Sequence, residues 1–354
     1  MAIVTSCKMG QDEIVAEVSL NGICVKTDSI NEDKMPLLLS GNLLISLDYM
    51  RGKAYFGGML SKTELTQSEV LAEVGHGHNE FQQLAFAKGE NNSLYLLNYP
   101  FTCNGLESIT YVPQADSISH IKDTSKWKRY SLRDLPAFFC FADNFVVLSD
   151  STILILGNPV EKTGHIISIV DFKNKKISPL DFWPEDNVEC DSFPKQAIYT
   201  QYSKVYGNGN GKYVYQLGRD RFAFIFSIEG NHVNVIKKLY EVYPDYKADR
   251  DKMNYVINHY NPEGLDCAVS AKNVYMLLTD SDKEGNKLKK MSDPLYGNTV
   301  EVYDWDGNKQ KVIHLDKLGQ RIMISDDNKV LYLFVRDYRE DIYEIWSYDL
   351  DTLE

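Results

Sequence analysis

The residues best suited to metal chemistry lie in one short glycine-rich segment. His76 and His78 are separated by one residue, and Glu80 follows two positions later. Histidine and glutamate are common zinc ligands, and in an extended segment the two histidines project to the same side. The segment also fits a turn in which the glycines adopt positive φ, the glutamate accepts backbone N–H bonds and the next phenylalanine packs inward. We favour the turn and predict no metal site here. Its structural residues are Gly75, Gly77, Glu80 and Phe81.

A second candidate for metal binding is an acidic loop. Asp280, Asp282 and Glu284 alternate ahead of Gly285, as at the start of an EF-hand calcium loop. The twelfth position of such a loop needs a glutamate to complete the coordination shell, and here it is Met291. We therefore interpret this stretch as a solvated loop.

Motifs for catalysis are missing from the sequence. It has no serine nucleophile elbow, no phosphate-binding loop and no His-Glu-x-x-His pair. No catalytic residue is predicted, and the first interpretation is a protein that binds rather than converts its ligand.

The elements that would position these residues form a repeated strand–turn–strand unit. Apolar runs in period two end in turns of Asp, Asn, Gly or Lys, for example at residues 168–174, 225–231, 300–308 and 344–351. This pattern is typical of β-hairpins, whose side chains alternate between two faces and whose turns need residues tolerant of positive φ. Neighbouring turns lie about 45 to 77 residues apart, which is the spacing of propeller blades.

Six such units of roughly 59 residues account for the chain length. Residues 138–150 are expected to form a strand of the third unit, and residues 197–206 a strand of the fourth. The predicted fold is all-β, a six-bladed β-propeller of antiparallel sheets. The sequence shows no outer strand for the last unit, and residues 14–25 are predicted to supply it, so that N- and C-terminal strands pair and close the ring. Residues 62–74 fit a short helix or a strand plus loop, and we favour the latter. We expect residues 1–12 to be a disordered N-terminus or signal-peptide remnant, and 13–354 a single propeller domain.

Two tyrosine-rich stretches, residues 199–215 and 240–260, form the predicted rim of a ligand site. Exposed aromatic faces beside amide side chains suit sugars or peptides; the alternative is that these rings seal contacts between blades. Arg219 and Arg221 flank Asp220, and either face the central channel or form a salt-bridged surface patch. The candidate ligand-binding residues are Tyr199, Tyr202, Arg219, Arg221, Asn258, His259 and Tyr260.

The charge of the chain argues against nucleic acid as a partner. The 38 Lys and Arg residues are outnumbered by 50 Asp and Glu, which gives a formal net charge of −12. Nucleic-acid binding draws much of its affinity from basic side chains that neutralise phosphates. No basic stripe is present, so we expect no nucleic-acid binding, and we expect a monomer.

Six cysteines are scattered without a Cys-x-x-Cys pair. We expect most of the five cysteines other than Cys7 to be free thiols, with Cys140 and Cys267 acting as small buried apolar residues. Cys7 differs, because an apolar residue and two small residues precede it, as at the lipidation site of a bacterial lipoprotein. It is either a lipid-anchor site or a chance cysteine in a disordered terminus. No other stretch is apolar enough to span a bilayer, so a membrane contact is expected only through such an anchor.

The glycine-rich segment also carries a family resemblance. Residues 75–81 resemble the Gly-x-Gly-Pro-x-Glu-Phe motif of the TolB-like six-bladed propellers, with His78 in the place of the proline. Weaker similarities lie at residues 93–96, 303–308 and 330–333. The resemblance implies a propeller fold and a place in the bacterial cell envelope, as a periplasmic or surface lipoprotein. It implies no activity, so no catalytic residue can be transferred.

Together these observations predict a non-catalytic propeller of the cell envelope that binds a glycan, a peptide or an envelope protein at one face of the ring, without a cofactor. The alternative is a metal-dependent hydrolase or lactonase with a divalent cation, such as Ca²⁺, held by carboxylates and amides in the central channel.

Overall fold

The computed structural model describes most of the chain, and all statements below concern that part. The described residues are 15–27, 34–48, 54–75, 77, 80–100, 105–139, 144–162, 164–188, 193–201, 203–218, 220–249, 254–259, 261, 263–280, 295–337 and 342–351. Several residues singled out in the sequence lie outside this set, namely Cys7, His76, His78, Cys103, Cys140, Cys190, Tyr202, Arg219, Tyr260 and residues 281–294.

The described chain folds into consecutive antiparallel sheets whose strands follow chain order. The first two strands are β1 (Ala16–Leu20) and β2 (Ile23–Cys24). Blade 1 contains β3 (Lys34–Ser40), β4 (Leu43–Asp48), β5 (Ala54–Leu60) and β6 (Leu65–Val74), with β7 (Glu80–Phe81) beside β6. Blade 2 contains β8 (Gln83–Lys88), β9 (Leu94–Tyr99), β10 (Ser108–Val112) and β11 (Lys128–Ser131); helix α1 (Ile118–Lys122) and a 3₁₀ turn (Thr124–Lys126) precede β11.

The next two blades carry insertions. Strand β12 (Phe138–Phe139) precedes blade 3, which contains β13 (Phe145–Val147), β14 (Thr152–Leu156), β16 (Ile167–Asp171) and β17 (Lys176–Pro179). Strand β15 (Asn158–Pro159) pairs with β12 in a separate ribbon. Helix α2 (Phe193–Thr200) precedes blade 4, which contains β18 (Ser203–Gly207), β19 (Lys212–Leu217), β20 (Phe222–Glu229) and β21 (His232–Glu241).

A hairpin of β22 (Asp245–Asp249) and β23 (Asn254–His259) follows blade 4. Blade 5 contains β24 (Glu263–Val269), β25 (Asn273–Asp280), β26 (Tyr296–Asp304) and β27 (Lys309–Gly319), and blade 6 contains β28 (Arg321–Ile324), β29 (Val330–Asp337) and β30 (Ile342–Asp349).

The blades form a closed ring. The first strands of successive blades contact one another in the order β3, β8, β13, β18, β24 and β28, and β28 contacts β3 again. This is the arrangement of a six-bladed β-propeller, and it confirms the predicted fold class.

One apolar cluster fills each junction between neighbouring blades, because alternate residues of a strand face opposite sides. In β14, Ile153 and Ile155 pack toward blade 2, whereas Leu154 and Leu156 pack toward blade 4. Both faces of a blade are therefore buried, which explains why this strand is apolar at consecutive positions. The remaining junctions are filled in the same way.

Polar contacts also join neighbouring blades. Most join a side chain of one blade to the backbone of the next, and they occur at several junctions. They include Leu84 N to Tyr55 Oη at 2.7 Å, Asn144 Nδ2 to Val205 O at 2.7 Å, Gln216 Nε2 to Leu265 O at 2.8 Å, Ile322 N to Asp266 Oδ2 at 2.8 Å, and Arg321 Nη1 to Pro36 O.

The N-terminal segment closes the ring, as predicted, but along a different path. Residues 14–25 were expected to form one outer strand of blade 6. Only Ile23–Cys24 pairs with blade 6, antiparallel to β30, while Ala16–Leu20 lies parallel to β27 and extends blade 5. The chain crosses between the two blades at Gly22, whose N–H donates to Asp316 Oδ1 at 2.9 Å. A Cβ at Gly22 would lie 2.7 Å from the ring of Tyr348, which explains the glycine. We call residues 16–26 the strap.

The strap continues from blade 6 to blade 1. Val25 is 2% exposed, and its N–H donates to Ile345 O at 2.8 Å. Lys26 N then donates to Thr63 O at 2.8 Å, in the last turn of blade 1. Three blades are thus joined by one short segment, and the closure does not depend on a single pair of strands.

Two predicted strands differ from the structure. Residues 138–150 were expected to form one strand of the third unit, but Phe138–Phe139 belongs to the ribbon with β15 and the inner strand is Phe145–Val147. Residues 197–206 were expected to be a strand, but they comprise the end of α2 followed by β18. Residues 65–74 form a strand, which confirms the choice of strand over helix for that region.

Candidate functional site

The two ends of the ring differ in how their connections are built. Since neighbouring strands are antiparallel, the connections between blades and those between second and third strands lie at one end. That end carries the long segments 132–144, 180–202 and 242–262. The other end is formed mainly by short turns such as 41–42 and 230–231, together with one longer connection, 113–127, which contains α1. We call the first end the cap face and the second the turn face.

The long segments of the cap face fold together over blades 3 and 4. We call this unit the cap and define it as the β12–β15 ribbon, residues 180–188, helix α2 and the β22–β23 hairpin. Helix α2 contacts both strands of the hairpin and the inner strand β18. Phe139 of the ribbon packs edge-on against Phe193 of α2, with ring centroids 4.1 Å apart. Gly157 permits the ribbon, since its φ is +148° and a Cβ there would lie 2.4 Å from Phe139 O.

Helix α2 is enclosed on all sides. All residues from 194 to 200 are buried, including Lys195, Gln196 and Thr200. Buried polar groups require partners, and each of these has one: Gln196 Nε2 donates to His165 O at 3.1 Å, and Thr200 Oγ1 donates to Gln196 O at 2.8 Å. A helix buried in this way has to be covered by other chain segments, which the hairpin and the ribbon provide.

One carboxylate joins the parts of the cap. The side chain of Asp186 is 1% exposed and that of its ion-pair partner Lys195 is 4% exposed. Lys195 Nζ donates to Asp186 Oδ1 at 2.6 Å, while Tyr199 Oη and Tyr246 Oη donate to Oδ2 at 2.9 and 3.0 Å. The backbone N–H of Val188 also donates to Oδ1, at 3.1 Å. Asp186 therefore links residues 180–188, helix α2 and the hairpin at one point.

Tyr199, a predicted ligand-binding residue, lies in this buried network. It is fully buried, and burial together with the nearby charge of Asp186 raises the pKa of its hydroxyl far above the ordinary value. It remains a hydrogen-bond donor at any physiological pH. Tyr199 therefore lies in the interior, where it donates to Asp186, and does not reach the outer surface of the cap.

Asn258 and His259, two other predicted residues, lie on the outside of the hairpin. Both are exposed, and Asn258 Nδ2 donates to Asp245 Oδ1 at 3.0 Å across the two strands. Val256 is 44% exposed beside them. The outer surface of the hairpin thus combines an amide, an imidazole, a carboxylate and an apolar side chain.

Arg221 lies at the foot of the cap, where blades 4 and 5 meet. Its Nη1 is 3.1 Å from Glu263 Oε2, and the side chains are 23% and 41% exposed. Arg221 therefore forms an ion pair with Glu263 between the two blades. Arg221 O also accepts a bond from Val242 N, which begins the connection to the hairpin. Tyr202, Arg219 and Tyr260 lie outside the described residues, next in sequence to parts of this face.

Sequence reasoning missed the most central residues of the cap. Asp186 and Lys195 lie in a polar stretch without periodicity, and nothing in their spacing marks them as partners. The tyrosines of residues 199–215 and 240–260 were identified, and several of them do pack in the core between blades, as the alternative interpretation stated.

The glycine-rich segment forms the predicted turn, with one correction. Glu80 Oε2 accepts a bond from Gly77 N at 2.7 Å, and Phe81 is 1% exposed in the core between blades 1 and 2. However, neither glycine has a positive φ. They are needed for space, because a Cβ at Gly75 or Gly77 would lie 2.0 or 2.8 Å from the carboxyl group of Glu80.

A buried ion pair joins the inner strands of blades 4 and 5. Lys204 Nζ of β18 donates to Asp266 Oδ1 of β24 at 2.5 Å, and the two side chains are 11% and 8% exposed. Asp266 Oδ2 accepts from the backbone of β28, so the pair connects blades 4, 5 and 6. Among the described residues, no group of three or more His, Cys, Asp or Glu is placed to hold a metal ion.

The two cysteines among the described residues are free thiols. Cys267 is buried, as predicted, and burial raises its pKa well above the ordinary value. Cys24, in the strap, is exposed.

Within the described residues, no helix has the length and apolar character that crossing a bilayer requires.

Comparison with known proteins gives similarity in fold. No protein-family model matches the sequence, and no curated protein matches it. Among solved structures, a calcium-binding regucalcin from Agrobacterium tumefaciens superposes with a TM-score of 0.47 and 10% identity, over 95% of this chain and 97% of that one. The protein U3-55K gives 0.44 and 9%, over 93% and 98%. A gluconolactonase from Xanthomonas campestris gives 0.40 and 10%, over 90% and 86%. Identities this low concern the fold, and activity has to be argued from the site.

Proposed function

We propose that the chain is a non-catalytic binding propeller that recognises its ligand at the cap face. The observation that carries this proposal is the cap, a folded unit on the cap face with its own buried charges. The turn face is formed mainly by short reversals and carries one longer connection, residues 113–127, which contains α1. Loops on a rigid scaffold are where binding residues concentrate, and ordering a unit of this size costs conformational entropy that a purely structural ring would not need to offset.

The chemistry of the cap surface favours a polar ligand with some apolar character, such as a peptide or a glycan. Asn258 and Asp245 offer donors and acceptors side by side, and His259 adds an imidazole. Val256 supplies an exposed apolar contact on the same strand. Peptides and sugars present mixed donors, acceptors and apolar surface of this kind, whereas nucleic acid would need a concentration of basic side chains.

Binding assays with matched variants test this proposal. Peptide and glycan arrays, followed by titration of the best probe, should give saturable binding. Asn258→Ala combined with His259→Ala should then weaken binding by about tenfold or more, since truncation of central contact residues has effects of this size. Glu229→Ala, at the end of β20 on the turn face, is the control and should leave affinity unchanged. Equal losses in both variants, or saturable binding that neither affects, would contradict a site on the cap face.

A place in the cell envelope is part of the proposal, supported by the sequence before Cys7 and by the resemblance to TolB-like propellers. Ala16 pairs with Lys311 near the start of β27, directly after the turn at 305–308 on the turn face. A lipid on Cys7 would be connected to this point by a tether of at most about 30 Å. The anchor would then hold the turn face toward the membrane and leave the cap face accessible.

Fractionation tests the anchor separately from the ligand site. In cells that produce the natural protein, the wild type should sediment with membranes, and Cys7→Ser should move to the aqueous fraction. If both variants distribute equally, the anchor is wrong, while the cap-face proposal is unaffected.

The metal-dependent alternative is distinguished by adding the metal itself. Ca²⁺ should leave the melting temperature of a binding propeller unchanged relative to excess chelator. A Ca²⁺-dependent rise in melting temperature, together with hydrolysis of lactone substrates, would favour the hydrolase instead.

A further inference from the structure

The hairpin on the cap depends on partners outside itself. In the described structure, β22 and β23 form a two-stranded sheet that pairs with no other strand. An isolated two-stranded hairpin is at best marginally stable in water. Its order must therefore come from what lies beneath it, namely helix α2 and residues 180–188.

The contacts beneath the hairpin converge on two polar points. Tyr246 is 2% exposed, and its hydroxyl donates to Asp186 Oδ2 at 3.0 Å. The hydroxyl of Tyr255 donates to Gln201 Oε1, just after α2. Around these points Tyr246 and Ile257 join the apolar cluster of blades 3 and 4, while Tyr255 also packs on Phe139 and Ala197.

The group that holds the hairpin from below belongs to a buried ion pair, not to apolar packing. Burying Lys195 and Asp186 costs desolvation energy, and apolar residues of similar volume would often stabilise a fold as well or better. A buried charge, however, tolerates little loosening, because each lost donor leaves the carboxylate undersolvated. The contact is therefore either fully formed or broken, unlike ordinary apolar packing. We call the hydrogen-bonded contact of Tyr246 with Asp186 the fastener of the hairpin.

We propose that the β22–β23 hairpin is a lid over helix α2, fastened by Asp186, that opens as a local unit while the six-bladed ring stays folded. Opening would uncover α2 and the apolar cluster of Phe139, Phe193 and Ala197 beside the exposed residues Asn258 and His259. This deepens the proposed function, because it assigns the regulation of access to the same face. The lid itself requires no ligand and is tested without one.

Hydrogen exchange of the full chain, followed by mass spectrometry, tests the lid. Tyr246→Phe removes the bond from the hairpin to Asp186 and should accelerate exchange in residues 245–259 by about tenfold, the size expected for a lost hydrogen bond to a buried charge. Tyr243→Phe is the matched control. Its hydroxyl belongs to the same connection and donates to Glu241 at 3.0 Å, away from Asp186, so exchange should not change.

A second pair of variants assigns the fastener to Asp186. Tyr199→Phe removes one of the two donors from α2, and Asp186→Asn removes the charge that all three side-chain donors share. Both should accelerate exchange in α2 as well as in the hairpin, while strands β19 and β20 keep the protection of the wild type. The double variant of Asn258 and His259 should bind less well but exchange normally, which separates the lid from the ligand site.

Two results would overturn the lid. If Tyr246→Phe exchanges no faster in the hairpin than Tyr243→Phe, then Asp186 does not fasten it. If Tyr246→Phe accelerates β19 and β20 as much as the hairpin, then opening is global unfolding. Should Asp186→Asn fail to fold, the tyrosine variants still decide between these results.

Discussion

Two aspartates, Asp186 and Asp266, hold negative charge almost out of contact with water. Each is paired with a lysine, and each also accepts a backbone N–H, from Val188 and Ile322 respectively. Buried charges are tolerated when their hydrogen-bonding capacity is met in this way. The two residues differ in what they join: Asp186 assembles the cap, whereas Asp266 connects the inner strands of three blades. Asp186 therefore stabilises the proposed binding face, whereas Asp266 stabilises the ring.

Replacing Asp266 by Asn should destabilise the protein strongly. The change leaves the ammonium group of Lys204 buried without its counter-charge, and breaking a buried pair typically costs about 3–5 kcal/mol. Unfolding in guanidinium chloride measures the difference in free energy. Asp150→Asn is the control, since Asp150 pairs with Lys173 at the surface with its side chain 85% exposed, and it should leave the free energy of unfolding unchanged. Similar effects of the two changes would show that the Lys204–Asp266 pair is not buried as described.

The turn aspartates should make stability depend on acidity. Asp171 accepts bonds from the side chain and the backbone N–H of Asn174 at 2.8 and 2.9 Å, and these bonds lower its pKa below the ordinary value. A lowered pKa in the folded state stabilises the fold above the unfolded-state pKa of about 4, and this stabilisation is lost as pH falls through the folded-state pKa.

Melting temperatures of the wild type and Asp171→Asn between pH 6 and pH 2 test this prediction. The wild type should melt higher at pH 6, and the difference should shrink below about pH 4. A difference that stays constant over the whole range would mean that the carboxylate charge has no role in the turn.

At the scale of elements, the apolar runs predicted the second and third strands of the blades well, because burial on both faces leaves apolar residues at consecutive positions. The same signal misassigned residues 197–206. Ile198 and Tyr199 are apolar enough for a strand, and the helix they form is buried on all sides, so it lacks the polar face by which an amphipathic helix is recognised. The hairpin β22–β23 was read as a rim of exposed tyrosines, since no local feature of Tyr246 indicates that its hydroxyl reaches Asp186 far along the chain.

The turn at residues 75–81 gives a prediction about an element. In Gly75→Ala the new methyl group would meet the carboxyl group of Glu80 and displace it from Gly77 N. The loss should be about 1–2 kcal/mol, the value of a charge-assisted hydrogen bond. Because both changes act on the same bond, Gly75→Ala and Glu80→Ala should be less than additive when combined. Full additivity in chemical denaturation would show that the glycine and the glutamate act independently.

At the scale of the whole molecule, the closed ring and the strap explain how two blades can carry an insertion as large as the cap. Each blade packs on both neighbours, so the cap rests on two blades that are themselves fixed by the remaining four. The number of blades and the closure by the N-terminal segment followed from the repeat spacing and the missing outer strand. The cap did not, because its contacts join residues 139, 186, 199 and 246, whose separation in sequence leaves no local pattern.

The central claim is that the strap closes the ring, and thermal unfolding of truncated proteins tests it most directly. Removing residues 1–26 should lower the melting temperature by about 10 °C or more, because Val25 and the backbone bonds to blades 5, 6 and 1 are lost together. Removing residues 1–14 is the control, since none of the described closure contacts involves them, and it should leave the melt unchanged. An unchanged melting temperature after removal of residues 1–26 would contradict the account.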